Sequence, residues 1–381
     1  MTLDAGQRLL IDRSDLHRTR IAVDPDSPAQ RPLQPGQARL AVEHFALTAN
    51  NITYAAFGEA MKYWQFFPAP DPGWGCLPVW GFATVTDSRT EGVAVGHRYW
   101  GYFPAGTHLV VQPARVGAAG FVDAAEHRQA LAAVYNQYNA CDADPTWQAH
   151  TEGLQAVLRP LFTTSFLIDD FLADNAFFGA RQLLLSSASS KTAYGTAFCL
   201  ARRRGSPGTP AVVGLTSVGK LDFTRSLACY DTVLSYDDVA DLDPAVPTLY
   251  VDFAGNAALR RAVHEHFGSA LVYSSSIGGT HWSELGAASG LPGPRPLLFF
   301  APAQIKKRSA PPPEGWGRDA LQQRLGAGWA AFIDRVGRAD APWLQIVHER
   351  GAAAVQAAYG ALLNGRVDAR VGLMLSLQAQ D

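Results

Sequence analysis

Hydrophobic and polar positions change their rhythm along the chain, and each rhythm predicts a different kind of element. Up to about residue 115 short apolar runs alternate with polar residues. "ARLAVEHFAL" follows the turn "PLQPGQ", and glycines punctuate "GFATVTDSRTEGVAVGHRYWGYFPAGTHLVVQP". This spacing predicts short strands in a small barrel or sandwich. From Asp123 to about Leu172 the pattern reads as helical, with aromatic positions in "VYNQYNA" and an apolar face in "LQAVLRPLFTTSFLIDDFL". The runs "QLLLSS", "PAVVGLTS", "TLYVDFAG" and "ALVYSSSIGG" then alternate with helical segments, and "PLLFFAPAQI" follows as a further apolar run. Nearly continuous apolar strands separated by helix-length crossovers predict a parallel sheet covered on both faces. Beyond a loop at "RSAPPPEGWGRD", "LGAGWAAFIDRV" and "AAAVQAAYGALLNG" read as helices and "ARVGLMLSL" as a closing strand.

Composition narrows the function classes. At 381 residues the chain is expected to form about two domains, since one domain takes roughly 100–200 residues. A net charge of −2 provides no basic field for nucleic acid. The runs Arg202, Arg203, Arg204 and Lys306, Lys307, Arg308 are short and read as solvated. No stretch approaches the ~20 apolar residues of a membrane span, and acids stand in "MTLDAGQRLLIDRSD" where a signal peptide would be basic and then apolar. A soluble, cytoplasmic protein with neither nucleic-acid nor membrane partner is expected. Cys76, Cys141, Cys199 and Cys229 are widely spaced with no C-x-x-C pair, which argues against a disulfide framework and a cysteine-rich zinc site.

The stretch "LLLSSASSKTAYGTAFCLARR" runs from an apolar strand through small hydroxyl residues into a helix pattern. A dinucleotide loop needs small residues there, so that backbone and helix N–H groups can approach a pyrophosphate. Ser187, Ser190 and Ala193 recur at every third position, and Lys191 adds a positive charge. A serine-capped helix after a buried strand is the competing reading. The next strand ends in Thr216 and Ser217, followed by Lys220, where an NAD-selective fold places an acid for the ribose hydroxyl. Hydroxyls and a lysine suit a 2′-phosphate, which favours NADP over NAD.

In this order the features resemble the medium-chain dehydrogenase/reductase superfamily, in its zinc-independent quinone and enoyl reductase branch. "PLQPGQARLAVEHFALTANNITYAAFG" is similar to the opening strands and N-x-x-[DY] segment, and "GHRY" to the G-D-R-V turn. "SSASSKTAYG" stands in the place of the G-A-x-G-G-V-G loop, "GLTSVGK" in that of the 2′-phosphate loop, and "LSYDD" in that of the I-N-Y segment. "VDFAGN" and "SSSIGGTHW" fill the strands leading to the nicotinamide end. The resemblance implies an α/β chain in which a GroES-like β-barrel catalytic domain, residues 1–165 and 301–381, surrounds a Rossmann doubly wound parallel-sheet domain, residues 166–300. It implies that Ser187, Ala188, Ser190, Lys191 and Thr192 line the pyrophosphate of NADP(H). Ser217, Lys220 and Tyr236 would take the 2′-phosphate, and Gly278 and Gly279 would lie beside the nicotinamide ribose. A homodimer is implied as well, formed edge to edge through the strand near "LVYSSSIGG". Trp80, Gly81 and Phe82 stand where zinc-dependent members carry G-H-E, so no metal is expected.

Without zinc, hydride transfer to a conjugated C=C or a carbonyl needs a donor that polarises the oxygen or protonates the adjacent carbon. Tyr54 is the candidate donor and Asn51 a positioning group, both in "NNITY"; a tyrosine that merely packs on the barrel is the competing reading. His281 could serve as an acid or a hydrogen-bond donor. Lys306 and Arg308 could meet an acidic substrate. The adjacent acids Asp169–Asp170 and Asp237–Asp238 read as helix-end or surface charges, because neighbouring side chains do not converge. The sequence therefore points to an NADPH-dependent reductase of a small, moderately apolar substrate. A catalytically silent binding or scaffold member of the fold, or a non-redox lyase on it, is the alternative.

Overall fold

The computed structural model describes residues 5–277 and 290–378. It divides into two units, residues 1–157 with 344–381 and residues 158–343. In the first, the strand Ala38–Leu47 is the hub. It pairs antiparallel with Pro78–Ser88, with His108–Val111 and with Val371–Ser376 near the other chain end. Its alternation buries Leu40, Val42 and Phe45, the pattern of a strand with one face on a core. These strands belong to a nine-stranded sheet, with a three-stranded sheet beside it in the same unit. Gly81 is required at one crossing, because a Cβ there would stand 2.3 Å from the His44 carbonyl oxygen. The C-terminal segment adds a parallel pair, Gln345–Arg350 with Val371–Ser376, crossed by the helix Ala352–Leu363. The strand Gln345–Arg350 carries no strand signal in the hydrophobic pattern, since its residues are half-buried or exposed.

The second unit holds a six-stranded sheet in the spatial order Thr232–Ser235, Ala211–Thr216, Gln182–Leu185, Thr248–Asp252, Leu271–Ser276, Leu297–Leu298, with every pair parallel. Numbered along the chain this is 3-2-1-4-5-6, the doubly wound order whose ligand crevice opens where the order reverses, at the carboxyl ends of the first and fourth strands. Leu183, Leu184, Leu185, Leu249, Tyr250 and Val251 are all fully buried, as strands covered on both faces require. At the crevice the Asp252 carboxylate, 1% exposed, accepts from the Ser186 hydroxyl, the Ala254 and Gly255 amides and both Nε and Nη2 of buried Arg260.

Several expectations are corrected. Residues 123–172 are not helical throughout. Short 3-10 turns and the strand Gln137–Ala140 precede the helix Glu152–Asp174, and buried Arg128 organises them by donating to Asp123, Asn136, Tyr138 and the Tyr135 carbonyl. "PLLFFAPAQI" supplies only a two-residue strand before the helix Ala301–Ser309, which Pro302 helps to start. The helices Ala301–Ser309 and Arg318–Val336 lie in the second unit. Asp169 and Asp170 are buried rather than surface charges. Arg203 grips Asp169 at 2.7 and 2.8 Å, and Arg308 grips Asp170 at 2.7 and 3.0 Å. Arg308, whose side chain is 11% exposed, is thus a structural clamp rather than a solvated charge, and Arg203 clamps Asp169 while staying partly exposed.

Two predictions follow from the ionic groups of these units. In the first, burial alone would push the Glu152 carboxyl up, but hydrogen bonds from His44, Arg98 and Trp147 and the Arg98 charge outweigh it and hold its pKa down from 4.5 to about 2. A depressed carboxylate stabilises the fold above its unfolded pKa and stops doing so as pH falls through the folded value. Urea midpoints of wild type should therefore drop between pH 4.5 and 2, and Glu152→Gln should flatten that limb. In the second unit, Asp252→Ala strands the Arg260 charge in the interior and should cost about 3–5 kcal/mol. Asp252→Ala with Arg260→Met should recover part of that loss in the same denaturation assay.

Candidate functional site

The loop after the first strand of the parallel sheet is built from small side chains for a physical reason. Ser186 is fully buried and uses its hydroxyl three ways, donating to Asp252 and accepting the Phe253 and Ala254 amides at 2.8 and 3.0 Å. Ser187 then takes a left-handed backbone, φ +48°. That conformation costs a residue with a side chain about 1–2 kcal/mol and a glycine nothing. Ala188 is fully buried; its amide donates to the Leu215 carbonyl at 3.0 Å, and its own carbonyl accepts the Tyr230 hydroxyl at 2.8 Å. Ser190 caps the helix Lys191–Ala201, accepting from the Ala193 amide at 3.4 Å. The turn therefore has the strand, left-handed corner and capped helix of a phosphate-binding loop, with serine in place of glycine.

The structure brings Tyr236 to this loop: it hydrogen-bonds both the backbone and the side chain of Ser187, and burial pushes its phenol up. Tyr236 opens the 3-10 turn after the strand Thr232–Ser235, which the sequence reading did not list among the strands. Ser217 and Lys220 are exposed at the end of the neighbouring strand, as are Val218 and Gly219. The next acid along the chain, Asp222, lies in the following helix at 3.7 Å from Arg225. Ser217 and Lys220 thus present a hydroxyl and an ammonium donor to solvent at that strand end. Gly278, Gly279 and His281 lie outside the described residues.

In the first unit the helix Ala49–Ala56 carries Asn51 and Tyr54, both buried. Asn51 spends its amide on the fold. Its Oδ1 accepts the Thr48 amide at 2.8 Å, closing a capping box, and its Nδ2 donates to the Pro78 carbonyl at 2.9 Å. It therefore positions the helix that carries Tyr54. The Tyr54 hydroxyl accepts from Trp80 Nε1 at 3.2 Å and hydrogen-bonds Asn50 and Tyr135; burial pushes its phenol up. Tyr63, Tyr102 and Tyr135 surround it, with ring centroids 4.6, 5.6 and 6.2 Å away. Trp80 stacks on Trp100 at 4.7 Å. The sequence reading singled out Tyr54 but not Tyr102 or Tyr135, whose only signal was the aromatic density of "YWGYF" and "VYNQYNA".

Solved structures share this fold. CurA from Vibrio vulnificus in complex with NADPH superposes with a TM-score of 0.58 at 10% identity, covering 98% of this chain and 100% of that one. The yhdH oxidoreductase from Salmonella enterica in complex with NADP gives 0.51 at 12%, covering 98% and 100%. The quinone oxidoreductase from Coxiella burnetii gives 0.52 at 11%, covering 98% and 99%. The fold is accordingly that of the quinone and enoyl reductase-like medium-chain dehydrogenase/reductases, a GroES-like barrel with a Rossmann sheet. No curated protein matches the chain in sequence. Residues 45–368 match the family described as "Protein of unknown function (DUF2855)", and the chain belongs to that family.

Proposed function

We propose that this protein is an NADPH-dependent oxidoreductase that reduces an activated C=C or carbonyl group of a small, moderately apolar substrate without zinc. The observation that carries the reading is the loop at the switch point of a 3-2-1-4-5-6 sheet, with left-handed Ser187 bonded to Tyr236 and with Ser217 and Lys220 exposed at the adjoining strand end. Ser187, Ala188, Ser190, Lys191 and Thr192 would hold the pyrophosphate, and Ser217, Lys220 and Tyr236 the 2′-phosphate. Gly278 and Gly279 would flank the nicotinamide ribose. NADPH supplies a hydride when bound.

The remaining chemistry falls to the chain. Reduction of a conjugated carbonyl adds a hydride at carbon and one proton, and between the two the substrate oxygen carries negative charge. The Tyr54 O–H is the donor to that oxygen and Asn51 its positioning residue, with His281 a further candidate donor. Trp80, Gly81 and Phe82 offer no zinc ligand, and the zinc-free reading rests on that stretch of sequence. A cytoplasmic homodimer belongs to the same proposal. Leu297, Leu298 and Phe300, 50%, 37% and 56% exposed, lie at or just beyond the sheet edge next to Leu271–Ser276 and support that pairing. A second reading, a scaffold that binds no dinucleotide, is favoured by one observation: the Ser190 hydroxyl already occupies a helix N–H that a phosphate would otherwise take.

Calorimetric titration with NADPH and with NADH tests the reading. NADPH is expected to bind more tightly. Lys220→Ala should weaken NADPH by about tenfold, the worth of one hydrogen bond to a charged group, and leave NADH unchanged. Ser190→Glu should abolish both by placing a carboxylate against the pyrophosphate. Absence of binding by either nucleotide to wild type at millimolar concentration would replace the reductase by the scaffold.

A further inference from the structure

The Tyr102 hydroxyl is the odd member of the aromatic cluster. Tyr54, Tyr63 and Tyr135 each hydrogen-bond through their hydroxyls. Tyr102 is fully buried and its hydroxyl has no hydrogen-bond partner among the described residues. A buried hydroxyl left unpaired costs about 1–3 kcal/mol, so the fold tolerates a donor it does not use. Tyr102 lies among the groups around Tyr54: its ring centroid is 4.6 Å from that of Tyr135, 5.1 Å from that of Trp80 and 5.6 Å from that of Tyr54.

One wall of this cluster lies nearest the surface. Tyr54, Tyr63 and Tyr102 are buried, whereas Tyr135 is half-buried and sits in the 3-10 turn Ala133–Asn136, next to exposed Ala132, Ala133 and Val134. Its backbone is fixed, because Arg128 Nη2 donates to the Tyr135 carbonyl at 2.7 Å and Arg128 is itself held by Asp123 and Asn136. The side chain is held by ring contacts with Tyr54, Tyr63, Phe66, Trp80 and Tyr102, by a hydrogen bond with Tyr54 and by a 3.4 Å contact with the Tyr63 hydroxyl, so opening the cluster means turning this side chain and not the backbone.

We propose that Tyr102 and Tyr54 together form a two-donor site for one carbonyl or anionic oxygen, which enters when the Tyr135 side chain swings aside. The inference deepens the reductase reading and rests on it for the nature of the reaction: the oxygen is that of a conjugated carbonyl or quinone, and Tyr102 is the residue that selects oxygen-bearing substrates. Burial keeps the Tyr54 and Tyr102 phenols protonated well above neutral pH, so both remain donors. Two buried O–H groups donating to one oxygen would favour the charge that develops on it, because the site excludes water.

The test uses para-nitrophenolate, an aromatic oxyanion whose visible absorption band reports its hydrogen bonding, titrated into the full chain without nucleotide at a pH where the probe is ionised. Binding with a shifted band is expected, tighter in Tyr135→Ala. In the Tyr135→Ala background, Tyr102→Phe should weaken it by about tenfold or more, since a hydrogen bond to a charged group is worth about 1.5–3 kcal/mol. Tyr102→Phe removes one unpaired oxygen, so an unchanged or higher urea midpoint is expected and shows that the loss is not unfolding. Equal affinity with and without the Tyr102 hydroxyl, or no binding even in Tyr135→Ala, overturns the proposal. Because no nucleotide is present, this outcome is separate from the calorimetric one: a chain that fails to bind NADPH but binds the phenolate through Tyr102 keeps the oxygen site and loses the reductase.

Discussion

The Asp252 carboxylate accepts five hydrogen bonds at the point where the order of the parallel sheet reverses. A lone carboxylate in such a place would be prohibitively desolvated. Arg260 offsets the charge, and Ser186 with the two backbone amides satisfies the remaining lone pairs. A buried pair of this kind adds little net stability over an apolar substitute. Its consequence here is geometric. Ser186 donates to Asp252 and in turn accepts the Phe253 and Ala254 amides, so the ends of the first and fourth strands are locked together. The loop that begins at Ser187 then starts from a fixed origin, and a fixed origin is what a phosphate-binding turn needs from its scaffold.

The first unit uses the same device for a different purpose. Residues 123–140 contain little regular structure, and irregular chain has few backbone partners of its own. Arg128, 1% exposed, gathers Asp123, Asn136, Tyr138 and the Tyr135 carbonyl, while Phe66, Phe67 and Tyr138 pack over its guanidinium at 5.1–5.7 Å. The planar fork of an arginine suits a job that needs several donors in fixed directions and an apolar face. What it delivers is the placement of Tyr135 against Tyr102 and Tyr54.

The parallel sheet was legible because strands buried on both faces must be apolar almost throughout, and these runs are short, bounded by turn residues and separated by helix-length segments. Thr232–Ser235 escaped because a four-residue edge strand ending in serine carries too little of that signal. "PLLFFAPAQI" misled for the opposite reason: its apolar residues Leu297, Leu298 and Phe300 are exposed, so hydrophobicity there does not report burial. Asp169 and Asp170 were misread through a sound argument. Adjacent helix residues point about 100° apart and do not converge on one ligand, yet the same divergence lets one helix present a carboxylate to each of two arginines. Residues 123–140 could not be read at all from periodicity, because a single buried arginine rather than a repeating face organises them.

Serine in place of glycine at position 187 is therefore more than a loss. Glycine would adopt the left-handed backbone freely but would leave the corner without a side chain. Ser187 bears the conformational cost and gains a side-chain hydrogen bond with Tyr236 beside the backbone one that glycine would also make; Tyr236 opens the turn after the strand on the far side of Ala211–Thr216. Each such bond contributes about 0.5–1.5 kcal/mol, comparable to the backbone strain it offsets. The exchange converts a loop whose shape rests on glycine's freedom into one whose shape rests on a cross-link. That cross-link joins the corner after the first strand to the turn after the third, so the two loops that flank the Ser217–Lys220 segment hold their spacing before any ligand arrives.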